Sequence, residues 1–426
     1  MVDKSTYAEV SKQLPEDKSK VLDELVRQGA QRMLMAALEA EVGEYVDKYR
    51  HERDELGHAM VVRNGRAGQR KFATGAGLLD INTPRVNDRR KDERFTSRIL
   101  PPYARRSPRL EDALPTLYLR GLSTGDFAPA LKMLLGESAR GFSATTITRL
   151  KEAWKEEYLV WSNRDLSDQR YAYVWADGVT FPVRLEENAL TCLVLVGVTQ
   201  DGDKEVIALV DGYRESTESW LTVLRDLRHR GFQPPLLAVG DGALAFWNAL
   251  EQIFPTVGQQ LCWKHKIANV LDKLPKSLQG QAKGHLHEIM YAPDRATSIK
   301  EIERFTEVYE AKYPKAVASL TENQDRLLTF FNFPAEHWVH IRTTNPIEST
   351  FGTVKARTKK TRGAGSRAAG LAMAFKLIEA AEQRWRKVNA PHLVAAVLHG
   401  IEFKDGVRQK PQAATTDVPI QEEAAA

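Results

Sequence analysis

Between Tyr171 and Tyr213 the chain carries apolar residues in short blocks, YAYVWAD, TFPVRL, LTCLVLVGVT and KEVIALVDGY. Turn residues separate them, notably Gln200-Asp201-Gly202-Asp203. Blocks of this length, rich in branched and aromatic residues, predict an antiparallel meander of strands. A helical period follows from about Ser216 to Arg230. Next come the apolar block PPLLAVGDGA, which reads as a strand ending in Asp241, and a helix from Leu244 to Phe254. Strands, helix, strand, helix is the pattern of an α/β core.

On both sides of this core the spacing is helical. Lys18 to Tyr49 predicts an amphipathic helix or helix pair, either packed in a core or serving as a dimerisation or DNA-contacting arm. Leu110 to Tyr158 reads as three helices, the second after GLSTGD, where Thr124 can cap, running to Leu135. The third opens with Ser143, Thr145, Thr146 and Arg149. Short connections containing glycine, with such a helix last, predict a helix-turn-helix; a plain three-helix bundle would share the pattern. Arg63 to Arg85 is rich in Gly and Arg and holds one short strand candidate, LLDINTP. Gln259 to about Trp338 is helical again. A helix then opens at Asn345-Pro346, a good cap and a good first residue, and a last one spans Leu371 to Val388. The end of the chain has no apolar period and reads as disordered.

With 426 residues, 42 % apolar and 27 % charged, the chain suits a multidomain soluble protein. No apolar run approaches the ~20 residues of a membrane helix. The polar start and only two cysteines, Cys192 and Cys262, lead us to expect a cytoplasmic protein. The net charge of +5 says less than its distribution. Pro84 to Leu110 has nine Lys or Arg against three acids, and Lys355 to Arg367 has six basic residues and no acid. Two basic tracts predict a polyanion touched at two places, with Arg105, Arg106, Lys355, Arg357, Lys359, Lys360 and Arg362 as candidate DNA contacts; solvated basic loops are the plainer reading.

The chemistry centres on carboxylates. Asp177 and Asp241 each end an apolar strand and each precede a glycine, which predicts two acids side by side at one sheet edge. Such a pair repels itself unless a cation lies between, and oxygen donors favour Mg²⁺ or Mn²⁺. Two such ions serve phosphodiester chemistry. Glu348 is the candidate third acid, with Lys355 and Lys359 on its helical face. Asn-Pro-Ile-Glu also fits a capping box, a role that Glu348 can combine with catalysis. Asp211 precedes a glycine too and fits a turn better. Cys262 and His265, in CWKH, are spaced for packing near the site, for DNA contact or, with His285 and His287, for zinc.

ADGVTFPVR, the VGDGA strand end, QQLCWKHKIANV and TTNPIEST, in this order, resemble the Mutator-type transposases of bacterial insertion sequences, from about Arg120 to Trp385. The resemblance implies an Asp-Asp-Glu triad in a ribonuclease H-like fold, falling on Asp177, Asp241 and Glu348. It also implies a helical insertion within the gap of 107 positions that separates the last two. One departure stands out: after the glutamate this chain has RGAGSRAAG, a run rich in Gly and Ala that reads as flexible and leaves DNA contacts around Arg362 and Arg367 open.

The expected fold is therefore multidomain α and α/β. The expected segments are a helical and basic arm region (1–83), an Arg-rich linker with helix-turn-helix (84–165) and a ribonuclease H-like core (166–262). A helical insertion (263–340), the core's C-terminal helices (341–405) and a disordered tail (406–426) follow. The expected activity is DNA transposition with two Mg²⁺ or Mn²⁺ ions. Double-stranded DNA, as inverted-repeat ends and target, is the expected partner, bound by a homodimer or larger assembly with no membrane involved.

Overall fold

The computed structural model describes residues 18–91, 93–122, 129–130, 144–184, 186–212, 215–360 and 363–410, with backbone alone at 18–20, 111 and 144–147. The chain divides into two compact units, Met1–Glu152 and Ala153–Ala426. Among the described residues no helix is long and apolar enough to cross a membrane.

In the first unit, helix α1 (Lys18–Lys48) lays Ala30, Leu34, Met35 and Leu38 against Phe72, Leu79, Ile81 and Leu100, so this face of the helix is core. Four short strands follow: β1 (Val61–Arg66), β2 (Arg70–Thr74), β3 (Gly77–Ile81) and β4 (Pro84–Asp88). They form two antiparallel pairs, β1 with β4 and β2 with β3. The strand expected at LLDINTP is β3 over Leu78–Ile81, and Pro84 at its end opens β4. β1 carries no apolar period to predict it: it is mostly exposed and polar, so its strand form comes from pairing. The boundary expected at 83/84 falls inside this paired region.

The Arg-rich tract is partly structural. Arg90 lies over the Tyr49 ring at 3.6 Å and pairs with Asp88 and Glu93, both at 2.8 Å. Hydrogen bonds from Arg90, and then from Tyr45, hold Asp88 down at about 2. Farther on the tract runs along β2: the Ala73 N–H donates to the Arg105 carbonyl at 2.9 Å, and the Ser107 N–H donates to the Ala73 carbonyl at 2.8 Å. This leads into α2 (Pro108–Leu119), opened by a proline at the start of the helix and packed through Leu110, Leu114 and Leu117. The second of the three expected helices, Thr124 to Leu135, lies outside the described residues apart from 129–130. The third is α3 (Ala144–Ser162).

The second unit is built on a five-stranded sheet: β5 (Tyr171–Phe181), β6 (Leu190–Thr199), β7 (Lys204–Asp211), β8 (Leu237–Gly240) and β9 (Gly258–Leu261), in the order β7-β6-β5-β8-β9. β5, β6 and β7 form the expected antiparallel meander, and β8 and β9 add in parallel beyond β5. YAYVWAD and the start of TFPVRL are one continuous strand, since Gly178 keeps its place in the ladder opposite Leu193. Helices α4 (Thr217–His229) and α5 (Leu244–Ile253) pack together through Trp220 and Phe246, whose rings are 5.0 Å apart.

From Trp263 to Ile341 the chain is helical: α6 (Trp263–Leu271), α7 (Lys276–Met290), α8 (Arg295–Tyr309), α9 (Pro314–Thr321), then short turns. Helix α10 (Asn345–Lys360) packs on β5, and α11 (Arg367–Glu382) packs on β6 and β7.

RGAGSRAAG is ordered where it is described, against expectation. The Ala364 N–H donates to the Pro182 carbonyl at 3.1 Å and the Arg184 N–H to the Ala364 carbonyl at 2.8 Å, stitching the run to the end of β5. Ser366 then caps α11, its side chain accepting from the Ala369 N–H. Arg367 is committed to Asp211, with Nε donating to Oδ2 at 2.7 Å and Nη2 to Oδ1. Asp211 is accordingly the last residue of β7 and an ion-pair partner, not a turn residue. Gly363 has φ +96°, and a Cβ there would lie 2.5 Å from the Pro182 carbonyl oxygen. Gly363→Ala should cost about 1–3 kcal/mol, measured as a lowered urea midpoint, with Gly365→Ala, which meets nothing within 4 Å, as the mild control.

Candidate active site

Register brings the first two acids together. β5 and β8 run parallel with Tyr173 opposite Leu237, Val174 opposite Ala238 and Trp175 opposite Val239. Continuing two residues places Asp177 level with Asp241, because both pairs are 64 residues apart. Neighbouring strands lie about 4.8 Å apart, so the two carboxylates leave the same edge of the sheet. Each is fixed locally: Asp177 Oδ1 accepts the Gly178 N–H at 2.8 Å, and Asp241 Oδ1 accepts the Ala243 N–H at 2.9 Å. The Asp241 carbonyl also takes the Trp247 indole N–H at 2.8 Å.

Asp177 carries the strain of this arrangement. Burial pushes its carboxyl up to about 7; the charges of Asp241 and Glu215 add to the rise, while the Gly178 N–H and His265 oppose it. Glu215, just ahead of α4, is likewise raised by burial and by Asp241, although its side chain keeps contact with solvent.

The third acid arrives from far along the chain, and buried polar contacts seat it. Gln260, fully buried on β9, donates to the Leu327 carbonyl at 3.0 Å and accepts the Phe330 N–H at 2.8 Å. The Trp263 indole also donates to the Leu327 carbonyl, at 2.9 Å, and the Trp175 indole to the His340 carbonyl at 3.2 Å. The Tyr173 hydroxyl and His337 Nδ1 are hydrogen-bonded at 2.7 Å. The segment between the insertion and α10 is thereby pinned to β5 and β9.

Cys262 makes the last join. Its N–H donates to the Gly240 carbonyl at 2.7 Å, next to Asp241, and its Sγ accepts the Thr344 N–H at 3.3 Å, next to α10. The Thr344 hydroxyl lies 3.3 Å from that sulfur and 2.7 Å from Glu348 Oε1. Lys264 Nζ pairs with Glu348 Oε2, and His265 Nε2 is 3.9 Å from Oε1. Partial burial would raise the Glu348 carboxyl, but the hydrogen bonds from Lys264 and Thr344 outweigh it and leave it below the usual range. Glu348 is the fourth residue of its helix and its carboxylate meets side chains of Thr344 and Lys264. The capping box therefore does not describe what holds it.

Among the described residues, Cys262, His265 and Glu348 form one group whose ligand atoms lie within 4.8 Å of one another. The hydrogen bond to Cys262 pushes His265 up to about 9, with the charge of Glu348 adding to it. Burial of Cys262 favours the thiol, yet contacts with His265 and Thr344 bring its pKa below the ordinary value. His285 and His287 do not join the group: His285 Nδ1 is hydrogen-bonded to the Tyr309 hydroxyl at 3.2 Å and His287 packs on Tyr291.

The candidate DNA contacts divide by exposure. Arg105, Arg149, Lys355, Lys359 and Lys360 are exposed, and Arg106 is half-buried. Arg357 is 3 % exposed, which removes it from the cationic face of α10: its position falls on the side packed into the unit. Ser143 and Arg362 lie outside the described residues, and Thr145 and Thr146 are placed in α3 by backbone alone. Sequence reasoning missed Thr344, Lys264 and Glu215. The first two sit inside the quoted motifs TTNPIEST and CWKH; nothing about the local spacing singles out Glu215.

Comparison with known proteins supplies the wider context. A family model described as "Transposase, Mutator family" matches residues 1–388, farther toward the N-terminus than the motifs alone reach. The chain is 54 % identical over 297 residues to the transposase for insertion sequence element IS6120 of Mycolicibacterium smegmatis, covering 70 % of this chain and 92 % of that one. It is 46 % identical over 286 residues to the transposase for element IST2 of Acidithiobacillus ferrooxidans, covering 65 % and 94 %. Identity to the transposase for element ISRM3 of Rhizobium meliloti (strain 1021) is 30 % over 395 residues, covering 91 % and 94 %. The chain therefore belongs to the Mutator family of transposases.

Proposed function

We propose that the protein binds the terminal inverted repeats of an insertion sequence and cuts and joins DNA strands at Asp177, Asp241 and Glu348, within a ribonuclease H-like core. The observations that support this are the β5–β8 register, which puts the two aspartates level on neighbouring strands, and the Cys262–Thr344 link, which ties Glu348 and the start of α10 to the end of β8. The mixed five-stranded sheet supports the core assignment.

The donor set fits divalent cations. Asp177 and Asp241 supply carboxylate oxygens from neighbouring strand ends; burial first, and then the charges of Asp241 and Glu215, raise Asp177 to about 7, and a bound cation would offset both. Asp177, Asp241 and Glu348 would hold two Mg²⁺ or Mn²⁺ ions, which supply activation of the attacking oxygen and stabilisation of the leaving one. The chain's residues do the rest. Gly178 and Ala243 N–H groups orient the aspartates, and Thr344 and Lys264 aim Glu348. The first step is hydrolysis of a phosphodiester at the element end, leaving a 3′-OH; the second is attack of that hydroxyl on another phosphodiester. Two element ends have to meet, so a dimer or larger assembly on DNA is part of the proposal, as is a cytoplasmic, nucleoid-associated location.

Binding is assigned to the exposed cations of α10, to Arg105 and to Arg149, with α3 as the last helix of a helix-turn-helix. Lysines at 355 and 359 follow Glu348 along one face, which suits a phosphate backbone passing the acids.

Asp177→Ala, Asp241→Ala and Glu348→Gln should each reduce Mg²⁺-dependent cleavage of a DNA carrying the element end to background, while a mobility-shift assay shows end binding retained. Wild-type product analysis should reveal joined strands; cleavage alone would reduce the activity to that of a nuclease. Changing Lys355, Lys359 and Lys360 to Ala should make the dependence of log K on log salt shallower by about 1 for each phosphate that the variant no longer neutralises. Arg357→Ala should instead lower the melting temperature and leave that slope unchanged.

The raised Asp177 pKa also sets a pH dependence. Its folded value, about 7, exceeds that of an unfolded aspartate near ~3.9, so its contribution to stability is full below pH ~4 and lost as pH rises through 7. In EDTA, wild-type protein should lose urea stability between pH 4 and 8 by an amount that Asp177→Asn does not lose. Added Mg²⁺ should return part of it to the wild type.

A further inference from the structure

A fourth carboxylate meets the site. Glu215 stands in the link between β7 and α4, one residue before Ser216, whose side chain caps α4. Its carboxylate rests on Gly178, the residue after Asp177. A Cβ on Gly178 would lie 2.9 Å from Glu215 Oε2, 3.1 Å from Cδ and 3.4 Å from Oε1. The glycine that follows Asp177 thus has a use: it leaves room for a second acid beside the first. The charge of Asp241 also acts on Glu215, and both act on Asp177, so the three acids sense one another at this edge of the sheet. Among the described residues no cationic side chain pairs with Glu215, whereas Glu348 has Lys264. A carboxylate resting on the bare backbone beside Asp177, open to solvent and without a cationic partner, is free to act as an oxygen donor.

We propose that Glu215 is a fourth oxygen ligand of the Asp177–Asp241–Glu348 site, sharing a divalent cation with Asp177 and Asp241. This rests on the cation-binding reading above. It makes Gly178 a positioning residue, since any side chain there displaces the Glu215 carboxylate. Glu215 would then add negative charge beside Asp177, and cation affinity would depend on four acids instead of three.

The test is Mn²⁺ binding to the full-length protein without DNA, followed by the loss of the free-ion electron paramagnetic resonance signal. Wild type is compared with Glu215→Gln, Gly178→Ala and Asp241→Asn, each checked for a wild-type circular dichroism spectrum. Glu215→Gln, which keeps the shape of the side chain, should raise the Mn²⁺ dissociation constant about 10-fold or more. Gly178→Ala, which keeps the charge but crowds Oε2, should raise it by a smaller factor. A Glu215→Gln isotherm that superimposes on wild type while Asp241→Asn loses binding overturns the assignment of Glu215 and leaves the other acids in place. Wild-type binding in both Glu215→Gln and Asp241→Asn overturns the cation site itself, and this inference with it.

Discussion

Two half-buried carboxylates held at neighbouring ends of parallel strands are the constraint on which the rest of this protein turns. The fold gains nothing from Asp177 and Asp241 as such. Burial, with a smaller contribution from the neighbouring acids, raises Asp177 to about 7. The arrangement persists because the backbone around it is over-determined. β5 is the middle strand of five, paired on both sides, and each aspartate accepts a backbone N–H within two residues of itself. A weaker sheet would relax by letting one acid swing away. Here the pairing of β5 on both sides keeps Asp177 in its half-buried place, and under the proposed function a cation would offset that cost.

The third acid is held by a different means. Closing a loop of more than a hundred residues costs only slowly more than closing a short one, since the penalty grows with the logarithm of length. What matters is how firmly the returning chain is caught. Gln260, Trp263, Trp175 and Tyr173 each commit a buried polar group to the segment from Leu327 to His340. These bonds are specific in direction, and an unpaired partner would be costly in such surroundings. Cys262 then spans the remaining gap between Gly240 and Thr344. The result is that Cys262 and Thr344 link Gly240, beside Asp241, to Glu348, although the two acids are 107 positions apart in sequence.

This explains which parts were legible in the sequence. Acids at the ends of apolar strands are conspicuous, and the 64-residue spacing of Asp177 and Asp241 matches the strand register because both acids lie just past paired segments. The helical insertion and the Asn345-Pro346 helix start were also readable from period and capping chemistry. Interactions that depend on tertiary approach were not. The Arg367–Asp211 pair joins residues 156 apart, and the strand-like stitching of Ala364 depends on the end of β5 being nearby, so a glycine-rich run that looked flexible is ordered. Arg357 looked like one more cation in a basic helix; only the packing of α10 on β5 distinguishes it from Lys355 and Lys359. Glu215 had no local signal at all, because what marks it is the bare backbone of Gly178 on another strand.

The distribution of charge along α10 ties site and surface together. Its acid lies in the first turn and its exposed cations follow toward the C-terminus, the orientation that the helix dipole favours at both ends. Lys264 meets Glu348 from outside the helix, so the acid is compensated without using the lysines farther along. Those remain in solvent, on the face that continues from Glu348. Under the proposed function, a phosphate chain drawn to these lysines would be led along the helix toward the carboxylates, which would otherwise repel it. Attraction at one end and cation-dependent acceptance at the other would make entry of DNA into the site conditional on divalent cation, a coupling built from the order of charges on a single helix.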